Sequence, residues 1–277
     1  MAGRVEGKVA IVTGGASGIG AATVRLLASE GAAVVCADVN RESGEALVKE
    51  IGRAAVFAAH DVRDEASWVR LIADTESRFG RLDVLVNNAG IVLVANVEET
   101  TLEQWRRVHA VNAEGVFLGC KHAIPAMRRA GAGSIVNVSS LAALRGTPIY
   151  AAYSASKGAV RSLTKTVALH CRQRGEAIRC NSIHPGGVET PMMRAAVKQT
   201  TGIDLDADAE AAAAIRQTLE LGQPGEIAEL IVFLASDASR YVNGEEIAID
   251  GGLSASYELT PPGARQSPFG SSAGGSA

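Results

Sequence analysis

The chain lacks the features that point to a membrane or a nucleic acid. No uninterrupted apolar stretch reaches the roughly 18 residues that a spanning helix needs, so we expect no membrane partner. The formal net charge is −3 at pH 7, without a broad basic field, so we expect no nucleic acid partner either. The partner that remains is a small molecule.

Cysteine is scarce and scattered. The four cysteines form no C-x-x-C pair, and none lies at metal-ligand spacing from two histidines, so we expect reduced structural thiols and no metal. The first ten residues place charged side chains directly before a short apolar strand, which matches neither a signal peptide nor a transit peptide. We therefore predict a cytoplasmic protein.

Aromatic residues are few, at 4%, whereas hydrophobic residues make up 47% of the chain and glycine occurs 30 times. This composition is typical of helices packed closely on a sheet. Short apolar runs alternate with helical patterns such as 103–129 and 153–174, which predicts an α/β fold. We expect a single Rossmann-type doubly wound domain, a seven-stranded parallel sheet with helices on both faces. The predicted strands are 9–12, 33–37, 56–59, 84–86, 134–138, 178–183 and 246–249.

The domain organisation follows from composition along the chain. Residues 1–257 form the predicted catalytic domain, and residues 258–277 are rich in Pro, Gly and Ser and predict a flexible tail. The alanine-rich stretch 191–222 is interpreted as a substrate-binding lid. An ordinary pair of surface helices explains that stretch equally well.

Tyr153 and Lys157 lie four residues apart, so one helical turn stacks a weak acid beside a positive charge. A free tyrosine titrates near ~10, and the lysine together with a positively charged cofactor ring would favour its phenolate. On its own, such a pair more often merely decorates a helix. The motifs around it favour proton transfer.

A glycine-rich segment, 13–20, follows the first predicted strand and opens the first helix. Missing side chains allow the backbone to approach a pyrophosphate, and the helix N-terminus receives its charge. Asp38 ends the second predicted strand, where a carboxylate accepts hydrogen bonds from ribose hydroxyls and repels a 2′-phosphate. This favours NAD over NADP, although Arg41 is near enough to neutralise a 2′-phosphate.

Three motifs together resemble those of the short-chain dehydrogenase/reductase family, and the likeness covers residues 5–255. Residues 13–20 match the family's T-G-x-x-x-G-x-G, residues 87–90 its N-N-A-G, and residues 153–157 its Y-x-x-x-K. Within the family, residues 168–193 look most like bacterial 3β/17β-hydroxysteroid dehydrogenases. The resemblance also implies a homotetramer, or a homodimer, built through the long helices 103–129 and 153–174.

The resemblance implies roles residue by residue. Ser140 would orient the substrate oxygen, and Asn112 would hold a water that links Lys157 to solvent. The catalytic set is Asn112, Ser140, Tyr153 and Lys157. The cofactor set is Gly14, Ser17, Gly18, Ile19, Gly20, Asp38, Asp61, Val62, Asn88, Tyr153, Lys157, Val188 and Thr190. The substrate set is Ser140, Leu141, Tyr150, Tyr153, Gly186, Met192 and Met193.

These patterns predict an NAD-dependent oxidoreductase that interconverts a secondary alcohol and its ketone. The two methionines suit a bulky, cyclic, apolar substrate, and a hydroxysteroid is the best single candidate. One alternative is a 3-oxoacyl-(acyl carrier protein) reductase, which would prefer NADPH and need a basic docking patch. The other is a catalytically silent NAD-binding sensor or scaffold, which would not need Ser140, Tyr153 and Lys157 together.

Overall fold

A computed structural model describes residues 3–255. The tail predicted at 258–277 and the outermost residues of the predicted domain 1–257 lie outside this part of the chain. Among residues 3–255, no helix is both long and apolar enough to cross a membrane.

The described residues form one sheet of seven parallel strands, which confirms the predicted fold class. The strand order is β3-β2-β1-β4-β5-β6-β7, so the chain reverses its direction of travel after β3 and the carboxyl ends of β1 and β4 meet at a switch point. The strands are β1 (Val9–Thr13), β2 (Ala33–Asp38), β3 (Ala55–Ala59), β4 (Val84–Asn87), β5 (Gly133–Val138), β6 (Ile178–Pro185) and β7 (Glu246–Ile249).

Helices cover both faces of the sheet, with one apolar cluster on each side. On one face α1 and α9 pack through Leu27 and Ile231, and on the other face α3, α5 and α6 pack around Trp68, Met127 and Val160. All five side chains are fully buried. The helices are α1 (Gly18–Ser29), α2 (Arg41–Ile51), α3 (Glu65–Phe79), α4 (Leu102–His109), α5 (Gly115–Ala130), α6 (Ala151–Gln173), α7 (Pro191–Thr201), α8 (Ala209–Leu219) and α9 (Pro224–Ala235).

The long helix predicted over 103–129 is not regular. A π-helical turn, Ala110–Glu114, separates α4 from α5 and contains Asn112. Two tertiary contacts hold this turn. The Asn112 amide forms hydrogen bonds with the backbone of Ile91, and Gly115 packs closely against Val62, since an added Cβ would lie 2.8 Å from Val62 Cγ2. Local sequence carries no signal for these contacts. Single π turns of this kind occur frequently at functional sites.

The start of α4 also differs by one residue from the pattern in the sequence. Thr100 and Glu103 have the spacing of a capping box, but the capping box that forms joins Thr101 and Gln104. The hydroxyl of Thr100 instead donates to the Asn96 carbonyl oxygen at 2.6 Å. The preceding turn therefore occupies Thr100 and moves the cap to its neighbour.

The segment predicted as a lid forms two helices, α7 and α8, that lie beside the carboxyl ends of the strands. Its apolar side chains form a small cluster of their own, separate from the two clusters that cover the sheet. Val197, Leu205 and Ala212 are the buried members of this lid cluster. The segment predicted as a lid therefore has an apolar cluster of its own within the domain.

Candidate active site

Tyr153 and Lys157 lie one turn apart in the first part of α6, as the sequence predicts. Lys157 is only 4% exposed, and its Nζ donates to the carbonyl oxygen of Val138, at the end of β5, at 2.8 Å. The same Nζ lies 5.8 Å from the centre of the Tyr153 ring. The Ser139 hydroxyl donates to the Lys157 carbonyl oxygen at 2.9 Å, so α6 is tied to the end of β5 at two points.

Burial dominates the acid–base properties of this pair. Burial raises the pKa of the Tyr153 phenol, a hydrogen bond with Ser140 opposes that rise, and negative charge on Tyr150 adds to it. Burial also lowers the pKa of Lys157 to about 8. Lys157 alone does not offset the desolvation of the phenol. The predicted lowering of the Tyr153 pKa requires a positively charged cofactor ring as well, and it stays a prediction.

Ser140 follows β5 and caps the short 3₁₀ turn Leu141–Ala143, where its Oγ accepts a hydrogen bond from Ala142 N at 3.1 Å. Its carbonyl oxygen lies 3.1 Å from Nδ1 of His184 on β6, and a carbonyl only accepts, so Nδ1 carries the proton. The Ser182 hydroxyl then donates to Nε2, at 3.0 Å. Burial lowers the pKa of His184 and favours this neutral tautomer. Sequence reasoning missed this support of Ser140.

Asn112 is completely buried, and both ends of its amide are used. Its Oδ1 accepts from Ile91 N at 2.9 Å, and its Nδ2 donates to the Ile91 carbonyl and to the Ser156 hydroxyl. A Cβ on Gly90 would lie 3.3 Å from Asn112 Oδ1 and 3.4 Å from Lys157 Nζ. Asn112 therefore lies directly behind the lysine, and Gly90 allows the close approach.

The glycine-rich loop between β1 and α1 is shaped to receive a phosphate group. Gly14 has a φ of +61°, and a Cβ on it would lie 2.8 Å from Ala89 Cα. Ser17 precedes α1 without capping it through its side chain, and the first turn holds no acidic residue, so the helix N-terminus is free to receive an anion. A Cβ on Gly20 would lie 2.0 Å from the Gly14 carbonyl oxygen. These residues fit the pyrophosphate of a dinucleotide.

Asn88 lines the cavity, and its side chain also holds the glycine-rich loop in place. Its Nδ2 donates to the carbonyl oxygens of Thr13 and Gly14, each at 3.0 Å. The Thr13 hydroxyl in turn accepts from the backbone nitrogens of Asn88 and Ala89, each at 3.1 Å. The N-N-A-G segment and the glycine-rich loop are thus joined across the switch point.

At the adenosine end, Asp38 is the last residue of β2 and Asp61 follows β3. Asp38 accepts hydrogen bonds from Ala16 N and Asn40 N, at 2.9 and 2.8 Å. Asp61 forms a two-pronged ion pair with Arg63, whose guanidinium lowers the pKa of that carboxyl. Both aspartates thus lie at the predicted end of the site and are already engaged by neighbouring groups.

On the other side of the loop, Thr190 contacts the glycine-rich segment. A Cβ on Gly18 would lie 3.1 Å from Thr190 Cγ2. The Thr190 Oγ1 caps α7 by accepting from Met193 N at 3.2 Å, and it donates to the Val188 carbonyl at 3.2 Å. The β6–α7 connection therefore presses against the cofactor loop.

One cavity of about 630 Å³ joins these groups. All the predicted site residues line it except Gly20 and Asn112, which lie behind its wall. Sequence reasoning did not assign Ile91, Arg107 and Thr147, which also line it. Ile91 and Thr147 lie in loops without a periodic signal, and Arg107 lies in α4 just before the π turn, outside every motif of the sequence. No group of three side chains suited to a metal occurs within residues 3–255.

Comparison with known proteins agrees with this geometry. A family model described as enoyl-(acyl carrier protein) reductase matches residues 14–254. A 3-beta-hydroxysteroid dehydrogenase of Comamonas testosteroni is 44% identical over 254 residues, which are 91% of this chain and 98% of that protein. An NADP-dependent (R)-specific alcohol dehydrogenase of Lentilactobacillus kefiri is 42% identical over 260 residues, covering 92% and 100% of the two chains.

A solved structure is similar over the same extent. The crystal structure of levodione reductase superposes with a TM-score of 0.84 at 36% identity, covering 92% of this chain and 100% of that one. The fold and the cavity define a Rossmann-type oxidoreductase with a dinucleotide site. The chain belongs to the short-chain dehydrogenase/reductase family, so it is an oxidoreductase of CH–OH groups that uses a nicotinamide cofactor.

Proposed function

We propose that this protein is an NAD-dependent dehydrogenase that interconverts a secondary alcohol and its ketone, with a bulky cyclic apolar substrate such as a hydroxysteroid. The observation that carries the proposal is the convergence of Ser140, Tyr153 and Lys157 on one cavity that the glycine-rich loop also lines. A sensor that only binds NAD would not need these three chemical groups together.

In the proposed mechanism Tyr153 accepts the proton of the alcohol as a phenolate and returns it to the ketone in the reverse direction. The Ser140 hydroxyl donates to the substrate oxygen and fixes its distance from the phenol. Lys157 supplies positive charge near the phenol, and Asn112 holds the wall behind it, where a water would link Lys157 to solvent. A nicotinamide cofactor held by the cofactor set would supply the hydride acceptor or donor.

The preference for NAD rests on charge around Asp38. A 2′-phosphate beside this carboxylate would meet like charge. Arg41 is engaged elsewhere: its Nη1 pairs with Glu45 Oε1 at 2.8 Å, and its guanidinium lies over the Phe57 ring. Arg63 is paired with Asp61. Because one relative is named as NADP-dependent, overall similarity does not decide the cofactor, and these local charges carry the argument.

The substrate proposal rests on the apolar end of the cavity. Leu141, Met192 and Met193 line it beside the catalytic side chains, and Tyr150 stands at 5.9 Å from Tyr153, measured between ring centres. Thioethers adapt to bulky apolar surfaces. The name of the 3-beta-hydroxysteroid dehydrogenase relative supports a steroid over an acyl thioester.

The test is an NADH absorbance assay with NAD or NADP on hydroxysteroids, cycloalkanols, aryl alcohols and hydroxyacyl thioesters. We expect turnover with NAD on a cyclic secondary alcohol, and a fall of kcat/KM by about 10²–10⁴-fold in Tyr153→Phe, because general acid–base catalysis contributes that much. Tyr150→Phe is the matched control and should change kcat/KM less than tenfold. Thioester turnover with NADPH alone would favour the carrier reductase, and NADH binding without any turnover would favour the sensor.

We also propose a cytoplasmic homotetramer, or homodimer, assembled through the helices α4 to α6. Large apolar side chains are exposed on these helices, namely Trp105, Phe117 and Leu169. Exposed large apolar side chains are candidates for burial in an interface between subunits. Light scattering after gel filtration tests this proposal, and a mass of 28.6 kDa, that of one chain, would contradict it.

A further inference from the structure

Glu189 lies between Val188 and Thr190, two residues predicted to hold the nicotinamide, and it is the centre of a cluster of charges at the base of the lid. Its side chain is only 15% exposed. The Arg194 Nη2 donates to it from α7 at 2.8 Å, and Arg216 of α8 donates to both of its oxygens, at 2.8 and 2.7 Å. One carboxylate thus binds both lid helices.

The backbone closes the lid at the same place. Glu189 N donates to the Gly222 carbonyl oxygen at 2.9 Å, and Gly222 N donates to the Gly187 carbonyl oxygen at 2.9 Å. The chain enters and leaves the lid through this short parallel pairing, which we call the neck (residues 187–190 and 222–223). Gln223 extends the neck with a weaker contact, Nε2 to Glu189 Oε2 at 3.4 Å.

The opposite side of the lid is attached less firmly. There, Gln199 of α7 donates to the carbonyl oxygen of Val94 at 3.2 Å, and this bond is exposed to solvent. Charge-assisted, two-pronged hydrogen bonds at a partly buried carboxylate are stronger than one exposed amide bond. The firm attachment is therefore at the neck, and the free side is where α7 meets the loop that holds Val94.

The neck is also the part of the lid that touches the cofactor site. Thr190 lies against Gly18 of the glycine-rich loop, and Val188 lines the cavity. Displacing Glu189 would therefore move the residues on either side of it. Met192 and Met193, which line the apolar end of the cavity, lie in the first turn of α7.

We propose that Glu189 is a positioning residue that seats the α7–α8 lid on the neck, so that one carboxylate sets both the nicotinamide end of the cofactor site and the apolar wall for the substrate. The proposal rests on the proposed dehydrogenase function. Glu189 touches neither reactant. It acts through Val188 and Thr190 on the cofactor and through Arg194 and Arg216 on the lid.

The test compares Glu189→Gln, which removes the charge at nearly constant shape, with Asp204→Asn. Asp204 pairs with Lys198 at 2.6 Å within the lid, away from the neck, so its variant removes one exposed lid ion pair as a matched control. In Glu189→Gln we expect the KM values for NAD and for the alcohol to rise at least tenfold, with kcat within about threefold of wild type. Asp204→Asn should keep both KM values within twofold, and Glu189→Asp, which restores the charge, should recover part of the loss.

A second measurement does not require turnover. Hydrogen exchange of the ligand-free protein should become faster in residues 191–221 of Glu189→Gln, while amides of β1, β4 and β5 exchange as in wild type. Unchanged KM values and unchanged lid exchange would overturn the proposal, as would faster exchange throughout the sheet, which would mean general destabilisation. If the wild-type protein turned over no alcohol while lid exchange still rose in the variant alone, the dehydrogenase proposal would fail and the seating of the lid by Glu189 would stand.

Discussion

The catalytic side chains and the lid are held by different kinds of interaction. The buried side chains of Lys157 and Asn112 are bound to backbone groups at the carboxyl end of the sheet, Lys157 to Val138 and Asn112 to Ile91. The lid has a small apolar cluster of its own, and charges at Glu189 seat it. Under the proposed function, chemistry that depends on small distances would be built on the sheet and its covering helices, and substrate recognition on a segment with a separate apolar cluster.

The two regions also differ in how much their interactions contribute to the free energy of unfolding. The lid ion pairs that do not involve Glu189 are exposed, and exposed pairs contribute only about 0–1 kcal/mol each. Glu189 is the exception because it is partly buried and binds two arginines. In the sheet, by contrast, each fully buried valine, leucine or isoleucine side chain contributes roughly 1.5–3 kcal/mol through burial of apolar surface. We therefore expect local opening of the lid well below the free energy of global unfolding.

Removing one leucine from each region would measure this contrast directly. Leu85 of β4 is completely buried, whereas Leu205 belongs to the lid cluster. Leu85→Ala should lower the free energy of unfolding by about 2–5 kcal/mol, as large core truncations do. Leu205→Ala should lower it by less than about 1 kcal/mol, because the lid opens without the sheet.

Urea unfolding followed by circular dichroism, at one fixed protein concentration, gives these values. Hydrogen exchange should show faster exchange in 191–221 for Leu205→Ala only. Equal destabilisation by the two changes would contradict the comparison and would mean that lid and sheet unfold as one unit.

In the proposed active site, burial of the charged Lys157 lowers the stability of the folded protein, whereas burial of apolar side chains raises it. The pKa of Lys157 is about 8 in the folded protein, against an ordinary value of 10.5. Between these values the unfolded chain binds more protons, so the free energy of unfolding should rise with pH above about 8. At 1.36 kcal/mol per unit the full gain is up to about 3 kcal/mol.

Lys157→Met lacks this titration and serves as the reference. The difference in unfolding free energy between wild type and Lys157→Met, measured by urea unfolding from pH 7 to 10, should move in favour of wild type as the pH rises. A difference that stays constant across this range would show that Lys157 keeps an ordinary pKa in the folded protein.

The smallest expected effect concerns the rigidity of the cofactor loop. A Cβ on Gly20 would lie 2.0 Å from the Gly14 carbonyl oxygen, so Gly20→Ala must displace the loop. We expect NADH to bind at least tenfold more weakly, about 1.4 kcal/mol, in a fluorescence titration. Gly225→Ala is the control because nothing lies within 4 Å of its added carbon. An NADH affinity within twofold of wild type in Gly20→Ala would mean that the cofactor loop can shift as easily as we expect of the lid.

Much of the fold was predictable because each part leaves a local pattern. The seven apolar runs became the seven strands, and the glycine-rich segment became the turn between β1 and α1. The spacing of Tyr153 and Lys157 correctly predicted neighbours on one helix. The burial that raises the pKa of Tyr153 was not predictable, since burial of a side chain depends on everything packed around it.

Sequence alone determined the parallel α/β fold, the order of the motifs and the residue types that meet at the strand ends, because period and turn chemistry act over a few residues. Only the tertiary structure decided the π turn at Asn112, the support of Ser140 by His184, and the pairing of Glu189 with Arg216. These contacts join residues that are 21 to 44 positions apart. Such contacts form only when folding has brought their partners together, so no local sequence pattern predicts them.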